Sequence, residues 1–91
     1  MDDRALPGED LVRAGLKDLA NGIESAQALL VAIGAARLRR AGVPVPEHPF
    51  TSPEHRLYHH LARANPDAAH GRYNALIRRL VRFERAAECA R

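Results

Sequence analysis

Tryptophan is absent from this chain, and aromatic residues of any kind are scarce: Phe50, Tyr58, Tyr73 and Phe83 are the whole set. A sheet-based core draws on aromatic and β-branched side chains, so the shortage weighs against strands. Cysteine is almost missing as well. Cys89 stands alone, which excludes an internal disulfide and a thiolate metal cage and fits a reducing compartment. Lysine is reduced to Lys17 against thirteen arginines, a bias that, together with excess alanine, matches a GC-rich bacterial genome. Long apolar runs are lacking too. The longest, Ala28 to Ala36, has nine residues, less than half of the ~20 needed to span a bilayer. The opening MDDRALPGED is acidic, where a secretory signal is basic. A cytoplasmic location with no membrane association is expected.

What the chain has in quantity is alanine, seventeen of its 91 residues, which favours helices packed closely through small side chains. A hydrophobic share of 46% and a charged share of 27% match an ordinary globular domain. The expected fold is all-α: one domain over residues 1–91, a compact antiparallel bundle of about four helices. Residues 1–8 are expected to be a flexible arm. The segment 42–52, GVPVPEHPFTS, is expected to be a Pro-rich connection between the second and third helices. Its PxxP spacing, Pro46 to Pro49, is read as part of a spacer.

Punctuation places the helices. Glu9 and Asp10 suit a first turn, where unpaired N–H groups favour negative charge, and Val12, Leu16 and Leu19 follow at helical spacing. Asn21-Gly22 either stops that helix or, with Glu24, opens the next through a capping box. The second helix, read as one piece from Ile23 to Arg40, contains ALLVAIGAA. Apolar on every face, it is expected to be the most buried element. Arg37, Arg39 and Arg40 then crowd its last turn, offsetting the carbonyl end of the dipole before Gly42. Thr51-Ser52-Pro53-Glu54 signals a third helix, with Ser52 or Thr51 as cap. Asn65-Pro66 ends it and opens a fourth, whose apolar stripe is Tyr73, Leu76, Ile77, Leu80, Phe83 and Ala87.

Net charge is +3, but it is unevenly spread: residues 1–36 hold six acids and three bases, residues 37–91 five acids and eleven arginines. A basic half suits a polyanion, or an acidic surface that includes the acidic half of a second copy. On the fourth helix Arg78, Arg82 and Arg85 recur at i, i+4, i+7, with Arg72 and Arg79 on one flank and Glu84 and Glu88 on the other. Like charges at that spacing repel, so an external anion would balance them. This row is the candidate face for a protein partner or a nucleic acid. No aromatic is interleaved among its arginines to stack bases.

Four of the five histidines fall between His55 and His70. His55 and His59, at i, i+4 on the outer side of the third helix, are candidate metal ligands. A zinc site needs three or four protein ligands, and the further donors are Glu54, His70, Glu47 and His48, at no recognisable motif spacing. Arg63 and His70, with six residues between them and followed by Gly71-Arg72-Tyr73, resemble the arginine–histidine motif of HEPN domains, helical bundles that often cleave RNA. That resemblance implies His70 assisting deprotonation of a ribose 2′-hydroxyl, Arg63 neutralising charge at phosphorus, and a dimer bringing two such pairs together.

No glycine-rich phosphate loop, EF-hand, zinc finger or nucleophile constellation is present, and no cofactor is expected. The leading expectation is therefore a non-enzymatic protein-interaction or oligomerisation module that self-associates into a homo-oligomer or docks onto a larger protein partner. The alternative is a nucleic-acid-binding or regulatory protein using the arginine face. The third is a HEPN-like ribonuclease or a metal-binding helical protein.

Overall fold

The structure, a computed structural model, describes residues 6–48 and 50–90. Five helices follow one another: α1 Glu9–Ala20, α2 Ala26–Ile33, α3 Ala35–Arg40, α4 Pro53–Ala64 and α5 Ala69–Ala90. Among the described residues there is no strand, and no helix is long and apolar enough to cross a membrane. The all-α expectation holds. The Cα radius of gyration, 12.9 Å, is near the ~12 Å of a single compact unit of this length.

Five helices rather than four arise because the expected second helix is broken at Gly34, the shared boundary of α2 and α3. Gly34 has φ −92° and ψ 9°, off helical geometry, and the side chains of Leu80 and Glu84 from α5 occupy the space a Cβ would take. Leucine and alanine propensity favours continuing the helix, but close approach of α5 at the one residue without a side chain favours the break.

The interior forms around α2, which packs against α1, α4 and α5. Ala28 to Ala32 are buried consecutively, so every face of this helix meets protein. Leu29, Leu30 and Val31 share the centre with Val12 of α1, Leu38 of α3 and Leu57 of α4. Gly15 sets the α1–α2 distance: a Cβ there would strike the Gln27 carbonyl and the Val31 side chain.

The helix ends are held by chemistry visible in the chain. Gly22 (φ 70°) and Gly42 (φ 93°) take left-handed conformations. Each closes a helix with paired bonds: Gly22 N–H to Leu19 O and Ile23 N–H to Asp18 O, then Gly42 N–H to Arg39 O and Val43 N–H to Leu38 O. The cap of α2 is Ser25, whose Oγ accepts from Ala28 N–H at 3.1 Å and donates to Asp18 Oδ2 at 2.6 Å. Asn21 and Glu24 make no capping box there. Ser52 precedes α4 in a left-handed conformation without a side-chain cap bond, and Pro53 takes the first turn.

Two connecting segments are fastened to the helices. Residues 1–5 of the arm lie outside the described residues, but Leu6 N–H donates to Glu9 Oε1 at 3.0 Å, and Gly8 rests against the Arg79 carbonyl and Phe83. The Pro-rich segment is fastened by Arg39, whose guanidinium donates to the Val45 carbonyl at 3.0 and 3.3 Å. Arg39 is thus a tether as well as a cation at a helix end. Pro49, and with it the PxxP pattern, lies outside the described residues.

Candidate functional site

Three places on this scaffold gather chemistry. The first is the outer side of α4. His55, His59 and Arg63 form one i, i+4, i+8 row, with Arg56 and His60 on a second row beside it. Together with Glu24 they line an open cleft of about 260 Å³, and His60 and Arg63 also border an adjoining hollow with Ala64. Arg56 Nη1 lies 3.0 Å from Glu24 Oε1 and donates through Nε to the Thr51 carbonyl. Its charge is thereby compensated, whereas Arg63 has no hydrogen bond or ion pair among the described residues. No three His, Cys, Asp or Glu side chains among the described residues group as a metal site requires, so His55 and His59 acquire no third ligand there.

His70 is elsewhere. Its Nε2 is 3.2 Å from Asn74 Nδ2, and its ring meets Tyr58 edge-on with centroids 6.4 Å apart. Tyr58 also tilts against Tyr73 at 5.7 Å, and burial, then Glu54, raises the Tyr73 phenol above its ordinary pKa. Five residues of helix separate Tyr58 from Arg63, about 140° around the axis. The cleft that Arg63 lines therefore does not include His70. Neither hollow described above that Arg63 lines includes His70, and the arginine–histidine pair implied by the HEPN resemblance is separated in the chain by the Asn65-Pro66 corner. There the Asn65 Oδ1 accepts from Asp67 and Ala68 N–H at 3.2 Å each, and α5 begins only at Ala69.

The second place is the solvent side of α5. Arg78, Arg82 and Arg85 are exposed and lie in line opposite the buried Leu80, Phe83 and Ala87. None has a hydrogen bond or ion pair among the described residues. Arg79, on the flank, approaches Asp10 of α1 at 3.5 Å.

The third place was not foreseen. Glu84, read from sequence as part of a flank beside the arginine row, is buried with 4% exposure. Its Oε1 lies 3.7 Å from Arg37 Nη1, and its Oε2 is buried without a hydrogen-bond partner. Burial raises its carboxyl pKa, and the nearby Arg37 only partly counters this, with Glu88 adding to the rise. A signal existed: at 100° per residue Glu84 falls between Leu80 and Ile77, inside the apolar stripe, and an apolar helix carrying Gly34 offers the room.

No protein-family model, curated protein or solved structure matches this chain.

Proposed function

We propose that this chain is a small helical interaction module that docks an acidic surface of another protein on the solvent side of α5. The observation that carries the reading is the row Arg78, Arg82, Arg85, exposed and without internal counter-charge among the described residues. Three guanidinium groups over seven residues of helix span roughly 10 Å, and each can hold a carboxylate through two parallel N–H donors.

A separate partner is favoured over a second copy. Glu9, Asp10, Asp18 and Glu24, the described acids of the first half, are each engaged within the chain, by Arg13, Arg79, Ser25 and Arg56. Among the described residues the large hydrophobic side chains left exposed are Ile23, at 50%, and Tyr58, at 40%, a small apolar area beside that of a stable interface. Charge, and not grease, draws the partner.

Nucleic acid is the second reading, since the same guanidinium forks fit phosphates. One comparison separates the two. A labelled glutamate-rich peptide and a labelled DNA duplex are titrated at low salt with the wild type and with the triple variant R78A/R82A/R85A. Binding of the peptide, lost in the variant, is expected. Binding of the duplex alone transfers the face to nucleic acid, and binding of neither, or equal binding by the variant, removes the reading.

A further inference from the structure

The cleft on α4 uses different residues from the α5 row, on a different helix. We propose that it is a site for a phosphate-sized oxyanion, held by Arg63 with the N–H groups of His59, His60 and His55. Four observations converge on that chemistry.

The functional groups around it are three imidazoles, two guanidinium groups and one carboxylate, Glu24. That carboxylate does not face the cleft uncompensated, because Arg56 holds it at 3.0 Å. Arg63 is the cation left over, exposed and free of hydrogen bonds or ion pairs among the described residues. Finally, the volume of about 260 Å³ lies below the ~300–1,000 Å³ of pockets that enclose drug-sized ligands. A small charged group fits that size.

A cation is excluded by the same inventory. The only acid in the lining is already paired, and no group of three metal donors forms among the described residues. An oxyanion, by contrast, offers acceptors to donors that have none: a guanidinium fork from Arg63 and one N–H from each neutral imidazole.

The phosphate can arrive free or as the terminus of a larger molecule. The test uses inorganic phosphate and a nucleoside monophosphate as separate probes, followed through the ring C–H resonances of the histidines by NMR. Wild type is compared with R63A, R63K and R72A. Arg72 is an exposed arginine of α5 that does not line the cleft, so its removal costs the same charge without touching the site. Saturable shifts of His55, His59 and His60, with His70 and His48 unmoved, are expected. Affinity falls about tenfold in R63A, the scale of one charge-assisted hydrogen-bonding group, is partly restored in R63K, and is unchanged in R72A.

Equal affinity for both probes identifies a free oxyanion as sufficient, and saturation by the monophosphate alone identifies a phosphate carried on a larger ligand. Each supports the site. Absence of saturation by either probe, or equal weakening in R63A and R72A, overturns it, the second by showing diffuse attraction. Because α5 is untouched in R63A, loss of this site and loss of the acidic-partner reading are read separately.

Discussion

Glu84 and Arg37 meet at 3.7 Å across the junction of α3 and α5, with the glutamate buried and the arginine side chain 64% exposed. One carboxylate oxygen faces the cation. The other, Oε2, is shut against Gly34 with no donor. Removing a charge from water and satisfying half of it is unfavourable, so the folded protein holds this group protonated to a higher pH than the unfolded chain does.

The sign of the pH dependence follows. A carboxyl with a raised native pKa stabilises the fold below the ordinary carboxylate range, and that contribution is lost as pH rises through the native value. Replacing Glu84 by Gln removes the ionisation. Urea unfolding is expected to show E84Q about 1 kcal/mol more stable than wild type at neutral pH, the scale of one unsatisfied buried polar group, and level with it in acid. Lower stability of E84Q at neutral pH would show instead that the pair with Arg37 outweighs desolvation.

Gly15 and Gly71 are both helical, yet their substitution has opposite consequences. At Gly15 a Cβ collides with the Gln27 carbonyl of the neighbouring helix, whereas at Gly71 nothing lies within 4 Å. Thermal melts are expected to place G15A about 2 kcal/mol below wild type, the overpacking outweighing the gain in helix propensity. G71A is expected about 0.5 kcal/mol above it, because propensity acts there alone.

Ser25 caps α2 and at the same time holds Asp18 of α1. S25A loses both bonds and is expected to be destabilised by about 1 kcal/mol. D18N keeps a hydrogen-bond acceptor for the Ser25 hydroxyl and should lose less. Equal losses would assign the effect to the Asp18 charge rather than to the cap.

The rod-like interior of α2 was readable because ALLVAIGAA has no polar residue on any face, and burial is what such a segment requires. The turns at Gly22 and Gly42 were readable for an equally local reason, the left-handed backbone that follows a last helical turn. The break at Gly34 was not, since it depends on α5, some fifty residues later, pressing Leu80 and Glu84 into the missing side chain's place. Glu84 is harder to place from sequence, because its charge argues for the flank of the arginine row while its angular position between Leu80 and Ile77 argues for the interior. In the candidate sites, helical spacing alone placed His55 and His59 on the outer side of α4, with Arg63 joining their row one turn later. It could not place His70 relative to them, because the direction taken after Asn65-Pro66 is a tertiary outcome.

The acidic-partner account is tested most directly by inverting the row. The triple variant R78E/R82E/R85E is titrated with glutamate-rich and lysine-rich peptides at low and raised salt. All three positions are exposed, so circular dichroism should show an unchanged fold. The account predicts that wild type binds the acidic peptide in a salt-labile manner and that the variant exchanges this preference for the basic one. Retention of the acidic peptide by the variant, or wild-type binding that persists undiminished at high salt, would contradict it.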